Sequence, residues 1–264
     1  MSTLTGCVQG LGLLGPGLAD WGAARAVFND ETRYVALRTV LPPPAVLPPA
    51  ERRRAGRIIK IALAVGAEAV ARAAADAHAL PTVFTSSGGD GDNCHEICLT
   101  LASSDRQISP TRFHNSVHNA ASGYWTIAHG CTAGSTSLCA GDASFAAGLL
   151  EALAQLACGA PAVLLLAYDV DYPPPLRAKR SIPDAFGTAL LLTAPDPAAG
   201  LPRLQLGWSD APAATMANAE LESLRRSIPA ARSLPLLERL AQRRGGTVVL
   251  DYLDSARLAV EVFA

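Results

Sequence analysis

The chain has 264 residues, half of them hydrophobic, so it can bury a sizeable core. Its 22 lysines and arginines nearly balance 23 aspartates and glutamates, for a formal net charge of -1, which argues against nucleic-acid or anionic-membrane partners. The N-terminal residues lack the pattern of a signal peptide, and no apolar run reaches the roughly 18 residues of a membrane span. We therefore expect a globular, cytoplasmic protein whose six cysteines stay reduced.

The first third of the chain predicts a strand, an extended loop and a long helix. Residues 4–14 are apolar and dotted with glycine, which indicates a core strand that ends in a tight turn. Residues 41–50 are rich in proline, which excludes a helix or a central strand. From residue 49 to about 77, apolar residues recur at three- and four-residue spacing, which predicts the longest helix.

Strands and helices alternate through the rest of the chain. A strand is predicted at 81–86, before a loop rich in glycine and aspartate. Further helices are predicted at 94–102, 142–158 and near 234–243, and further strands at 162–168, 185–192, 204–208, 247–253 and 257–263. The unbroken apolar run at 162–168 is typical of a strand buried on both faces. This order predicts a single α/β domain over residues 1–264, with helices packed on a mixed central sheet.

The segment 111–144 concentrates the residues that could carry chemistry. Three of the five histidines and two of the six cysteines lie between His114 and Ser144. Cys139 comes just before the helix predicted near Asp142, where free backbone amides would lower the pKa of a thiol and stabilise an oxyanion. A nucleophile at Cys139 is one interpretation of this pattern, and a buried structural cysteine is the other.

The histidines allow two further interpretations. His114 and His118 are four residues apart, as are Cys94 and Cys98 upstream, which would place each pair on one face of a helix. Structural zinc sites usually bring cysteines together in a knuckle, so we expect neither a metal nor a cofactor. Alternatively, a set of polar side chains hydrogen-bonds the backbone of an irregular segment and fixes its shape. That set is His114, Asn115, Ser116 and Asn119.

Several stretches resemble a known family. Ser137-Leu-Cys139, followed by a helix of small residues and an apolar strand, is similar to the nucleophile elbow of β-ketoacyl-acyl-carrier-protein synthases. Ser109–Ala120 and Asp142–Ala152 more closely resemble the β-ketoacyl-synthase-like N-terminal domain proteins found beside aryl-polyene and related pigment or lipid clusters. The resemblance covers about residues 4–194 and leaves 195–264 as a short divergent C-terminal segment.

The resemblance implies a thiolase-like half-fold with a truncated second half. A catalytic synthase takes its nucleophilic cysteine from the first half, and two histidines, or a histidine and an asparagine, from the second. Residues 195–264 hold no histidine, so the partners that would activate Cys139 are missing. His114 and His118 do not match the catalytic histidines. Asp142, three residues after the thiol, would either raise the thiol pKa by repulsion or cap the helix.

Two functions follow from the resemblance, and whether the chain is an enzyme stays open. The leading hypothesis is a non-catalytic, chain-length-factor-like subunit that forms a heterodimer with a complete β-ketoacyl-acyl-carrier-protein synthase and meets the carrier protein through it. This pairing would serve chain elongation of the fatty-acid or polyketide type. The alternative is a self-sufficient acyltransferase or thioester hydrolase that uses Cys139, with His114 or His118 as base. A homodimer that pairs through residues 162–167 is a third possibility.

Overall fold

One mixed sheet of eight strands runs through the residues that the computed structural model describes, 4–264. The strands are β1 (Leu4–Leu14), β2 (Thr82–Thr85), β3 (Ser135–Leu138), β4 (Ala162–Asp169), β5 (Phe186–Thr193), β6 (Arg203–Ser209), β7 (Gly246–Asp251) and β8 (Arg257–Phe263). Their order across the sheet is β3-β2-β4-β5-β1-β6-β8-β7. β2 runs parallel to both β3 and β4, and the other neighbouring pairs are antiparallel. The predicted α/β class with a mixed sheet is confirmed.

Helices cover both faces of this sheet. They are α1 (Trp21–Phe28), α2 (Pro49–Arg54), α3 (Arg57–Ala73), α4 (Gly91–Ala102), α5 (Pro110–His114), α6 (Ala120–His129), α7 (Ser144–Ala157), α8 (Pro174–Arg177), α9 (Ala219–Ser227) and α10 (Leu234–Ala241). β4 shows the two layers, since Val163 and Leu165 pack in the core with α7 while Leu164 and Leu166 pack in the core with α3. β4 is therefore a central strand between β2 and β5, and its apolar run is explained by burial on both faces.

The long helix predicted from 49 to 77 begins where expected, but it is interrupted at 55–56 and ends early. The structure has two helices, α2 and α3, because the backbone is extended at Ala55 and Gly56. A Cβ on Gly56 would lie 2.8 Å from the Asp90 carboxylate, so the small residue lets the two segments approach each other. α3 then ends at Ala73, where Ala74 adopts a left-handed conformation with φ of 50°.

The loop between β2 and α4 is shaped by close packing. A Cβ on Gly88 would lie 2.2 Å from the hydroxyl oxygen of Tyr172, so this glycine is needed for the tyrosine to approach the backbone. Asp90 caps α4 by accepting a hydrogen bond from the Asn93 amide at 3.0 Å. α4 consequently begins at Gly91, three residues before the predicted start.

The C-terminal residues belong to the same sheet as the rest of the chain. β6 pairs with the first residues of β1, and β8 and β7 extend the sheet beyond it. Leu204 of β6 and Val260 of β8 are buried in the core that contains α7. Among residues 4–264 there is no helix with the length and apolar character to cross a bilayer.

Candidate functional site

The carboxyl ends of three parallel strands meet at one place. β2 is followed by Ser86 and Ser87, β3 is followed by Cys139, and β4 ends at Asp169. Because parallel strands place their carboxyl ends at the same edge of a sheet, these side chains converge. We call Ser86, Ser87, Cys139, Asp142 and Asp169 the elbow site.

Cys139 is exposed, and its thiol is hydrogen-bonded to a carbonyl group. The Cys139 Sγ atom donates to the Ser87 carbonyl oxygen at 3.2 Å. A 3₁₀ turn at Gly141–Ala143 separates the cysteine from α7, which starts at Ser144. The Ala140 amide donates to the Ser144 hydroxyl oxygen at 3.1 Å. One of the amides next to the thiol is therefore already bonded within the elbow.

Asp169 is a fully buried carboxylate that holds the elbow site together. Its Oδ1 accepts from the Ser87 amide at 2.9 Å and from the Ser87 hydroxyl at 2.7 Å. Its Oδ2 accepts from the Ala230 amide at 2.9 Å, at the start of the 3₁₀ turn Pro229–Ser233. Burial raises the pKa of Asp169, although the hydrogen bonds from Ser87 and Ala230 work in the opposite direction. This side chain ties β4, the β2 turn and the C-terminal segment to one point.

Asp142 forms ion pairs with two arginines. Arg180 contacts its Oδ1, and the Nη2 of Arg232 lies 2.9 Å from its Oδ2. Arg232 also reaches Asp251 at 3.0 Å, so the elbow turn is joined to β7. No side-chain cap is found at the start of α7, within the described residues. Asp142 thus does not cap α7, and its carboxylate is paired with two arginines.

His118 lies beside the elbow site, but its ring bonds to the backbone. The Nε2 atom is 3.1 Å from the carbonyl oxygen of Leu138, the residue before Cys139. A carbonyl oxygen only accepts, so Nε2 carries the hydrogen and is not available as a base. The other ring nitrogen, Nδ1, faces Gly89, where an added Cβ would lie 3.3 Å from it.

His114 is placed elsewhere. It ends α5, whereas His118 follows that helix, so the two histidines do not share a helical face. The His114 ring packs edge-on against Tyr124 at 6.3 Å between centroids. It lines an apolar groove of about 500 Å³ between α5 and α6. Of the two predicted histidines, the structure brings only His118 to the elbow site.

The other polar residues predicted around His114 partly follow the backbone-bonding interpretation. The side-chain Nδ2 of Asn115 donates to the Arg54 carbonyl oxygen at 2.9 Å, and the Ser116 hydroxyl donates to the Phe113 carbonyl oxygen at 2.8 Å. Cys94 and Cys98 lie exposed on α4. In the described part of the chain, no three metal-ligating side chains are grouped so as to hold an ion.

Sequence reasoning missed most of the residues around Cys139. Asp169 ends the apolar run at 162–168, and Ser86 and Ser87 follow the strand predicted at 81–86. Polar residues directly after buried strands are a usable signal, because the ends of parallel strands meet. Arg180 and Arg232 carry no such signal, since each lies in a segment whose position depends on tertiary packing.

Comparison with known proteins gives a family and a fold. Residues 28–250 match the family described as beta-ketoacyl synthase, N-terminal domain. A search of curated proteins found no match. Among solved structures, the chain is similar to a ketosynthase (ApeO) in complex with its chain length factor (ApeC) from Xenorhabdus doucetiae. That TM-score is 0.73 at 23% identity, over 98% of this chain and 99% of that chain.

Two further structures have the same fold at lower identity. One is the ishigamide ketosynthase/chain length factor, with a TM-score of 0.72 and 14% identity over 98% of this chain and 99% of that chain. The other is AntDE:AntF, a type II polyketide synthase acyl-carrier protein in complex with its ketosynthase. Here the TM-score is 0.74 at 12% identity, over 100% of this chain and 99% of that chain.

Proposed function

The chain belongs to the family of β-ketoacyl synthase N-terminal domains, and on this basis we propose that it is a non-catalytic, chain-length-factor-like subunit. It would pair with a complete β-ketoacyl-acyl-carrier-protein synthase in chain elongation of the fatty-acid or polyketide type, including polyenes. Residues 4–264 would act as one domain, because the C-terminal strands complete the sheet that carries the elbow site. At the elbow site, Asp142 is paired with two arginines and the Cys139 thiol is bonded to a backbone carbonyl.

An exposed apolar surface supports the pairing. Phe113 and Val117 lie on and just after α5, Ile127 lies on α6, and all three are exposed beside the apolar groove. Leu99 and Leu101 are exposed on α4, a helix in which only Gly91 and Asn93 are buried. The exposed apolar side chains grouped beside the groove, Phe113, Val117 and Ile127, indicate a contact site for another protein.

This surface continues into an unpaired sheet edge. β3 is the edge strand next to β2, and it is polar and short. Val117 of the groove is followed by His118, whose Nε2 lies 3.1 Å from the carbonyl oxygen of Leu138 in β3, so the groove and the edge strand are neighbours. An edge strand exposes backbone donors and acceptors that a second chain can pair with. We call Phe113, Val117, Ile127 and the β3 edge the partner face.

The elbow site supports a role without its own chemistry. The Cys139 thiol donates to the Ser87 carbonyl oxygen, and Nε2 of the nearby His118 is bonded to the Leu138 carbonyl oxygen. Residues 130–264 hold no histidine, and the C-terminal segment meets the elbow through Arg232 and the Ala230 amide instead. The hydrogen-bond partner of the thiol is thus a backbone carbonyl and not the basic side chain that activates a nucleophilic cysteine.

A growing acyl chain is the ligand we assign to the apolar groove. The groove is lined by Phe113, Val117, Tyr124 and Ile127 and opens on the partner face, so a bound synthase would close it into a tunnel wall. Burial of about three methylene groups would contribute roughly 2 kcal/mol to holding the chain. The acyl carrier protein would reach this complex through the synthase.

One observation carries the proposal most strongly: the apolar groove adjoins the elbow through His118 and Leu138, and the thiol of that elbow is bonded to a carbonyl. The test mixes the purified chain with the complete ketosynthase from the same genome and follows size-exclusion chromatography with light scattering. We expect a complex with the mass of one copy of each chain. Separate elution of the two proteins across the accessible concentration range would refute the pairing.

A further inference from the structure

A second cleft, of about 630 Å³, lies between the end of α1 and the face of α10. Its lining is mostly polar, and the buried side chains of Phe28, Leu221 and Val248 contribute to its apolar part. None of its lining residues belongs to the elbow site or the partner face. Its size is in the range of small-molecule sites, and the proposed function makes no use of it.

Three arginines line this cleft without a carboxylate partner. Arg33, Arg239 and Arg244 all line it, and none forms an ion pair with another residue in the range 4–264. Arg239 is positioned by its Nη1, which donates to the Gly245 carbonyl at 3.2 Å. Elsewhere in the protein, arginines such as Arg57 and Arg225 are paired with acids. No carboxylate in the described range pairs with any of the three guanidiniums, so each keeps N–H donors for an anion.

Two carboxylates share the lining with these arginines. Asp30 and Glu238 form no ion pair within the described chain, so the lining carries three positive and two negative side chains. Burial raises the pKa of Glu238, and the nearby Asp30 adds to this effect, whereas Arg239 and Arg244 oppose it. If the anionic group of a ligand binds the arginines, Glu238 can accept a hydrogen bond from an N–H or O–H group elsewhere on the same ligand.

From this arrangement we propose that the cleft binds a small organic phosphate. A guanidinium forms paired hydrogen bonds with a phosphate group, and three of them offer more donors than one carboxylate can accept. The apolar part of the lining, at Phe28, Leu221 and Val248, suits the organic part of such a ligand. This proposal does not depend on the proposed function, because the cleft shares no residue with the elbow site or the partner face.

The experiment uses phenyl phosphate as the probe and isothermal titration calorimetry on the full chain. We expect binding at one site, weakened by about tenfold or more in the double variant Arg239→Gln/Arg244→Gln, because charge-assisted hydrogen bonds are lost. The charge-matched control is Arg25→Gln/Arg226→Gln, since both arginines are exposed and lie outside the cleft. This control should bind the probe as the unchanged protein does.

Three results would overturn the proposal. They are no binding of phenyl phosphate at millimolar concentration, equal binding by the two double variants, or tighter binding of phenylacetate, which would make the ligand a carboxylate. If the Arg239→Gln/Arg244→Gln variant does not fold, the site is tested by the backbone amide chemical shifts of the unchanged protein in an NMR titration with phenyl phosphate. Phenyl phosphate should move the signals of Leu221 and Val248 and leave Ser87 in place, and the opposite pattern would refute the site.

Discussion

Asp169 Oδ1 accepts a hydrogen bond from the Ser87 hydroxyl at 2.7 Å, and the Ser87 carbonyl in turn accepts from the Cys139 thiol at 3.2 Å. Ser87 therefore connects a buried carboxylate to the exposed cysteine. The same carboxylate binds the Ala230 amide from the C-terminal segment. The position of the thiol thus depends on residues from three distant parts of the chain.

Replacing Asp169 should destabilise the protein strongly. The Asp169→Ala variant leaves the amides of Ser87 and Ala230 without acceptors in the interior, which should cost about 3 kcal/mol in the free energy of unfolding. Asp169→Asn should recover only part of this loss, because its amide NH₂ cannot accept. Urea denaturation measures the difference. The exposed Asp210 gives the control, since Asp210→Ala should change stability by less than about 0.5 kcal/mol. Equal effects of the two alanine variants would contradict this role.

Removing Arg232 should loosen β7 from the elbow. Arg232→Gln loses the ion pairs with Asp142 and Asp251, and because these carboxylates are partly exposed we expect a loss of only about 1 kcal/mol. Amide hydrogen exchange in Gly246–Asp251 should become faster. The matched control is Lys179→Gln, an exposed cation without an ion pair in the described chain. Unchanged exchange in β7 would show that the pairs do not hold the strand.

The stability contributed by Glu222 should depend on pH. Two hydrogen bonds from Arg225, each 2.7 Å long, lower the pKa of Glu222 to about 2 from an ordinary value of 4.5. The native state therefore binds this proton more weakly than the unfolded state, and the contribution is complete above about pH 4.5 and disappears as the pH falls towards about 2.

The Glu222→Gln variant checks this pH dependence. At about pH 7 it should be less stable than the unchanged protein by about 1 kcal/mol, because the side chains are partly exposed. The difference should narrow steadily as unfolding is measured down to about pH 3. Glu31→Gln, at an exposed residue without an ion pair in the described range, should show no such trend. A difference that stays constant with pH would contradict the assignment.

A polar substitution on the partner face should weaken the heterodimer without unfolding the chain. Phe113 is 69% exposed, so Phe113→Ser removes little burial in the free protein but a large contact in the complex. We expect the dissociation constant for the ketosynthase to rise by about tenfold or more. Trp208, 66% exposed on β6, gives a control of similar exposure that lies four strands from β2 and five from β3, towards the opposite edge of the sheet. If Trp208→Ser weakened the complex as much as Phe113→Ser, the partner face would be wrongly placed.

Periodicity and turn residues predicted most of the sheet. The strand at 4–14 is confirmed as β1, and the run at 162–168 is confirmed as a central strand. The resemblance drawn from Ser109–Ala120 and Asp142–Ala152 is confirmed by the family that matches. These features are local, because they depend on the apolar pattern of one segment or on residues close together in the chain.

The missed features depend on tertiary contacts. β3 is short, polar and partly exposed, so it has no apolar alternation and is defined by its pairing with β2. The sequence does not mark α6, because its buried face combines Tyr124 and Trp125 with the small residues Ala121 and Ser122 and so has no apolar periodicity. Arg232 reaches Asp142 across 90 residues of sequence, and no local pattern marks such a pair.

The central claim is that the chain supports elongation without using Cys139 as a nucleophile. The most direct test reconstitutes the complex with the complete ketosynthase and acyl carrier protein and compares elongation rates for the unchanged chain and Cys139→Ala. We expect the two rates to agree within about twofold, because the catalytic thiol would belong to the partner. A fall of about a hundredfold or more in Cys139→Ala would contradict the account and show that this thiol is itself catalytic.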